Sequence, residues 1–400
     1  MTRQYGSYAG HSAGTPPAAR FLVVVRCCLL VGAVVLSGCA QRPVTVMGAR
    51  ADSIGAARTD DISRAQRLAL RVDSFRTAAH IPGLAMAVLR DTTVLLAQGF
   101  GFADLEQQRA VTPDTPFDIA SVSKPVSAVV ALQLVEAGLL DLDRPMQRYR
   151  DFPEFCTGAR SGGGIFFTDF DCIGDRLTMR HVLAMQANGT AGSRFLYNPP
   201  SFSWASRPMA QVAGVTFSDL VDSLVFRRAG MRGAARINRN RPLLPSIAAV
   251  LARPYTIDSA GRAVAASPPP PQGDGAAGGV IASVADLIRF DIALMSGRLI
   301  SERSRAMMWT PGRSREGALL PYGLGWFTGE AGGTRVVWHT GLWDGRYSAL
   351  YVKVPERRLT MLLLANSEGL QWPARLNEAA IERSPYARAF FAAFMDGYTP

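Results

Sequence analysis

Two short apolar runs, GLAMAVLR (83–90) and TVLLAQGFGFAD (93–104), flank the polar pair Asp91-Thr92. Runs of that length joined by a two-residue break read as an antiparallel hairpin. Ahead of them, residues 61–80 place Ile62, Leu68, Val72 and Phe75 near helical spacing, and Ile81-Pro82-Gly83 ends the pattern. The chain then turns mostly to helices and loops until about residue 310. Strand-like runs return as RVVWHTG (335–341), YSALYVKV (347–354) and RLTMLLLAN (358–366), followed by a helical tail over about 374–395. Strands at both ends with helices between them predict an α+β fold in which one antiparallel sheet is assembled from distant segments. The helical part, within about 121–290, forms a second lobe, and a cleft between lobes is the expected place for a site. The stretch SPPPPQGDGAAGG (267–279) reads as a surface loop, stiff in its proline half and pliant in its glycine half.

With 400 residues, 48% of them hydrophobic, the chain has apolar side chain enough for one large core or two ordinary ones. The first 38 residues carry no acid, three arginines (Arg3, Arg20, Arg26) and an apolar run from Cys27 to Leu36. This is how a secretory signal is built, and Arg26 leaves the apolar run too short for a membrane span. Its end, Leu36-Ser37-Gly38-Cys39, resembles the lipobox of bacterial lipoproteins. That resemblance implies lipidation at Cys39, a tether over 39–60, a folded domain over 61–395 and an address at the cell envelope. The net charge of +11 favours anionic surroundings, while no basic run with interleaved aromatics points to nucleic acid.

Cys156 and Cys172 flank a glycine-rich segment; in an oxidising compartment a disulfide closing it is the expectation, with two buried free thiols as the alternative. Beyond the leader the histidines are His80, His181 and His339, which lie far apart and lack metal-ligand spacing, so no metal and no cofactor is expected. Nothing in the sequence assigns an oligomeric state.

Of the 43 basic residues only Lys124 and Lys353 are lysine. Lys124 follows Ser121 by three positions, which places both on one face of a helix starting near the serine. Pro125 fits such a first turn. A desolvated lysine can release its proton, whereas arginine stays charged, so an acid–base role selects lysine here. At its ordinary pKa a lysine is neutral in only about one molecule in two thousand at pH 7, so the site has to shift it or share its proton.

From about residue 61 to 395 the chain resembles the serine hydrolases related to class C β-lactamases and low-molecular-weight penicillin-binding proteins. The matching stretches are FDIASVSK (117–124), LTMRHVLAMQANG (177–189), FLYNPP (195–200), AAGGVIASVADLIRF (276–290), YGLGW (322–326) and HTGLWDGRYSALYVKVPE (339–356). The resemblance implies a β-lactamase/transpeptidase-like fold and acyl transfer to a serine. Ser121 would be the nucleophile, Lys124 its activator and Tyr197 the proton shuttle, with the lysine ammonium stabilising a phenolate and the pair titrating together. The backbone N–H groups of Ser121 and Leu342 would form the oxyanion hole. His339, Thr340 and Gly341 would line the substrate site.

Three features depart from the family pattern, one being Gln186-Ala187-Asn188-Gly189 in place of the family's His-Thr-Ser-Gly-like segment. Where many members carry an asparagine two residues after the tyrosine, this chain has Pro199, leaving Asn198 as a displaced candidate for substrate contact. His339 replaces a lysine and is mostly neutral at pH 7, so Arg346 is the candidate for a missing charge. The leading expectation is an envelope serine hydrolase cleaving an ester or amide, with a D-amino-acid peptide of the cell wall as a possible substrate. A β-lactamase and a non-catalytic wall-binding lipoprotein are the alternatives. A G-x-S-x-G esterase is disfavoured, since that pentapeptide occurs only as Gly10-His11-Ser12-Ala13-Gly14 in the leader, outside the expected folded domain.

Overall fold

The computed structural model describes residues 48–162, 164–371 and 379–399. The leader 1–38 and Cys39 lie outside the described residues. Asp52–Pro400 forms one compact unit, to which all that follows refers apart from the first four residues of helix α1.

Helix α1 runs Gly48–Ala78, so the second part of the expected 39–60 tether is helical. Its sequence, GARADSIGAARTDD, is dense in alanine and arginine, which favour helix without any apolar stripe. Periodicity detects a packing face, and the face begins later, at Ala65, Leu68 and Val72 in the core.

The expected hairpin forms as β1 (Gly83–Arg90) and β2 (Thr93–Asp104), with a short β3 (Arg109–Ala110) beside it. From the far end of the chain come β4 (Phe327–Ala331), β5 (Thr334–Trp343), β6 (Tyr347–Val354) and β7 (Leu359–Ala365). They make one antiparallel sheet in the order β3-β2-β1-β7-β6-β5-β4. The two halves meet where β1 pairs with β7, Leu84 opposite Ala365 and Arg90 opposite Leu359. Both strands are buried almost throughout, which is why they read as unbroken apolar runs. Helix Val284–Met295 packs against both of them. The expected tail is a helix only over Pro385–Phe394, where Tyr386 meets Phe75 of α1 edge to face at 5.6 Å; residues 372–378 lie outside the described part.

Lys353 on β6 is buried against Asp291 of helix Val284–Met295, with Tyr351 and Thr360 on the same carboxylate. Both lysines of this arginine-rich chain are therefore interior residues.

The residues between β3 and β4 supply the helices of the second lobe, among them α2 (Ser123–Glu136), and a small sheet in which Val280–Ala282 lies between Phe117–Asp118 and Ala235–Arg236. Cys156 and Cys172 are joined by a disulfide. The 267–279 stretch departs from the expectation of a surface loop: the proline half is largely exposed, but from Asp274 the chain turns inward and Ala276 is buried. Gly275 permits this, because a Cβ there would lie 1.8 Å from Ser203 Oγ.

Candidate active site

Ser121 lies in a 3-10 turn, Ala120–Val122, that leads directly into α2. The α-helix proper starts two residues later than expected, and Pro125 falls in its first turn. The turn is tight: Ala120 has φ +46°, a left-handed conformation that a residue with a Cβ rarely adopts. Asp118 Oδ1 accepts the Ala120 N–H at 2.8 Å and stabilises that conformation. The buried Asp118 carboxyl is itself raised to about 6, mainly by desolvation, against the opposing pull of the Ala120 N–H.

Lys124 is fully buried, and its Nζ lies 2.7 Å from Ser121 Oγ, 2.9 Å from Tyr197 Oη and 3.2 Å from the Ala277 carbonyl. Burial pushes its pKa well below the usual lysine range, which favours the neutral amine. Burial also raises Tyr197 above its ordinary value, only partly offset by the Ser121 hydroxyl. Removing water penalises both charged forms, so burial favours amine and phenol within the pair that is expected to titrate as a unit. A neutral amine has two N–H groups and one lone pair. With its hydrogens toward Tyr197 Oη and the Ala277 carbonyl, the lone pair is left for the Ser121 hydroxyl proton.

The Ala277 carbonyl is positioned by a buried arginine. Arg236 donates to the carbonyls of Gly275, at 2.9 Å, and Gly278, and to Asp274 Oδ1 at 3.0 Å. Ala276, inside the span so held, accepts from Ser127 Oγ of α2 at 2.6 Å. Neither Arg236 nor Ala277 was legible as a site residue: one is an ordinary arginine among many, and the other contributes only backbone.

Strand β5 closes the site from the sheet side. Gly341 approaches so near the Ile119–Ser121 turn that a Cβ would lie 2.3 Å from the Ile119 carbonyl oxygen. Strand β5, which carries Leu342 as its next residue, packs against this turn. Thr340, half-buried, pairs with Leu350 on β6.

Three expected substrate contacts are redirected. His339 is fully buried: Nδ1 faces the Thr340 carbonyl at 2.6 Å, and Nε2 faces Tyr322 Oη at 2.8 Å. With Nδ1–H donating to the carbonyl, Nε2 accepts from the phenol. Burial pushes its pKa well below the usual value, so it is neutral and both nitrogens are occupied. Asn198 is likewise buried and turned away, its Nδ2 donating to Phe166 O and Asn188 Oδ1 while its Oδ1 caps helix Pro199–Trp204 at Ser201 N–H. Arg346 commits Nε to the Ser267 carbonyl and Nη1 to the Asp344 carbonyl, bracing the proline loop against the β5–β6 turn. Tyr322, which holds His339, was missed as a site residue; its signal was the YGLGW stretch, noted only as part of the resemblance.

A central antiparallel sheet built from both chain ends, with flanking helices and a serine–lysine–tyrosine cluster beside β5, defines a β-lactamase/transpeptidase-like protein. The chain belongs to the β-lactamase family, whose model matches residues 68–384. It is 26% identical over 314 residues to "Penicillin-binding protein 4*" of Bacillus subtilis, covering 69% of this chain and 68% of that one. It is 27% identical to a D-aminopeptidase of Brucella anthropi, covering 72% of this chain and 56% of that protein. Among solved structures, the octameric penicillin-binding protein homologue of Pyrococcus abyssi matches with TM-score 0.63 at 20% identity, covering 76% of this chain and 74% of that one. The class C β-lactamase of Rhodobacter sphaeroides matches with TM-score 0.60 at 18% identity, covering 82% and 97%. These two structural likenesses show the fold. The chain spans less than two thirds of the length of several of the curated relatives it matches, the D-aminopeptidase among them.

Proposed function

We propose that the protein is an exported serine hydrolase that forms an acyl-enzyme on Ser121 and cleaves an ester or amide. The observation that carries this reading is the buried Lys124 amine 2.7 Å from Ser121 Oγ and 2.9 Å from Tyr197 Oη, its pKa lowered by burial. Ser121 Oγ attacks the substrate carbonyl as its proton passes to the Lys124 lone pair, and the new oxyanion accepts from the N–H groups of Ser121 and Leu342. Collapse breaks the bond to the leaving group, which takes a proton from the Tyr197–Lys124 pair. Water then attacks the acyl-enzyme as one of its protons passes to that pair, and collapse breaks the ester bond to Ser121, whose Oγ takes that proton from the pair.

The neutral His339 offers no charge for a substrate carboxylate, which favours substrates whose reacting end is uncharged beyond the scissile carbonyl. An amino-terminal D-amino acid amide or peptide of the cell wall fits, in keeping with the printed name of the Brucella anthropi relative. The leader and Leu36-Ser37-Gly38-Cys39 support export and lipid anchoring at the envelope. Pro199, with Asn198 turned into the helix cap, argues against efficient β-lactam turnover, since no side-chain amide stands at the family's usual position.

Intact-protein mass spectrometry after exposure to a fluorophosphonate, a chromogenic ester, a D-amino acid amide and a β-lactam tests the reading, with Ser121→Ala alongside. An adduct at Ser121 that is absent from the variant is the expected result, with turnover of the ester and the amide. No adduct with any reagent on folded protein would overturn it in favour of a non-catalytic wall-binding lipoprotein. Rapid β-lactam turnover would overturn the substrate assignment.

A further inference from the structure

Six arginines fall within residues 227–241, a stretch that the proposed function does not use. Beneath it lies a cavity of about 630 Å³, inside the range of roughly 300–1,000 Å³ typical of small-molecule sites. Phe226, Met231 and Ile247 give it an apolar wall; its charged lining is Arg227, Arg232, Arg236, Arg241 and a single acid, Asp222.

The charges do not balance. Arg241 is paired with Asp222 and Asp219, and Arg236 with Asp274. Arg227 and Arg232 are exposed, and neither guanidinium has a carboxylate or carbonyl partner among the described residues. The lining therefore holds two uncompensated cations beside apolar surface, and the Nε of the buried Arg236 in the same lining has no hydrogen-bond partner among the described residues. Two guanidiniums facing one cavity repel each other unless an anion joins them, and guanidinium is suited to planar carboxylate and phosphate oxygens.

We propose that this cavity binds a small organic anion, a carboxylate or phosphate carried on an apolar group. The anionic head neutralises Arg227 and Arg232, and the apolar part covers Phe226, Met231 and Ile247. The cavity shares Arg236 with the loop that holds the Ala277 carbonyl against Lys124. Resting on the hydrolase reading above, occupancy is thereby coupled to acylation of Ser121.

Calorimetric titration of the full chain with 4-phenylbutyrate tests binding without reference to activity, using 4-phenylbutan-1-ol as the uncharged control. The expected result is one saturable site with a dissociation constant below about 1 mM, unchanged by Ser121→Ala and weakened at least about tenfold by Arg227→Ser with Arg232→Ser. Equal binding of the alcohol, or no effect of the double variant, overturns the proposal. So does binding confined to phosphatidylglycerol vesicles, since that assigns the arginines to a membrane surface. A change in the acylation rate with 4-phenylbutyrate, lost in the double variant, is expected from the coupling; binding with an unchanged rate overturns the coupling.

Discussion

The Lys124 amine donates across 3.2 Å to the carbonyl of Ala277, a residue 153 positions further along the chain. That bond, with the one to Tyr197, orients the amine so that its lone pair faces Ser121. Burial lowers the pKa of Lys124 and so favours its neutral form, an effect that exists in the folded state alone.

Lys124→Met and Lys124→Arg are both expected to abolish acylation of Ser121, by about 10³-fold or more. Their stabilities diverge. The folded pKa of Lys124 lies below its unfolded value, so the wild type loses stability as pH falls from the unfolded pKa toward the folded one. Lys124→Met removes that penalty and stabilises the protein by about 1–3 kcal/mol near pH 7, with the gain fading toward pH 10. Urea unfolding across this range measures it, and a gain that is flat with pH would count against a buried neutral amine.

The pH profile of acylation is expected to rise with the neutral fraction of Lys124, with its midpoint far below that of an exposed lysine. Single-turnover rates with the chromogenic ester from about pH 4 to 10 measure this. A midpoint near pH 10 would show that the site leaves the lysine unshifted.

Asp118→Asn keeps an acceptor for the Ala120 N–H and removes a buried charge. The folded pKa of Asp118, about 6, lies above the ordinary value of 3.8. Its stabilising contribution is therefore complete below the unfolded pKa and lost as pH rises through about 6. The variant should match the wild type near pH 3.5 and exceed it by about 1–3 kcal/mol above pH 6.5. Equal differences at both ends of the range would refute the assignment.

Gly341→Ala places a Cβ against backbone, which has no flexible end to yield. The turn at Ile119 has to move, so acylation is expected to fall by about 10²-fold through the displaced oxyanion donors, with a stability cost of about 1–3 kcal/mol. Stopped-flow acylation alongside thermal unfolding separates the two effects. Wild-type rates in a folded variant would mean that β5 does not set the geometry at Ser121.

Tyr322→Phe leaves the buried Nε2 of His339 without a donor. The expected cost is about 1–3 kcal/mol of stability, with kcat/KM reduced less than about tenfold, because His339 holds the wall of the site without meeting the reacting atoms. A loss of kcat beyond about 10³-fold at unchanged stability would promote the Tyr322–His339 pair to the chemistry itself.

The sequence by itself determined the hairpin of β1 and β2, the return of the chain to strands at its far end, and the face shared by Ser121 and Lys124. Those features rest on periods of two and of three to four residues, which the backbone imposes locally. The early start of α1 escaped because alanine and arginine favour helix without marking a buried face. Only the tertiary structure decided the state of the site. Burial lowered the pKa of a lysine and raised that of a tyrosine, and packing gave both nitrogens of His339 structural partners, turned Asn198 toward Phe166 and Asn188, and folded half of the glycine-rich loop inward beneath Arg236. Desolvation and backbone carbonyls leave no mark on the side-chain pattern: the first depends on what packs around a group, and the second is the same atom at every position.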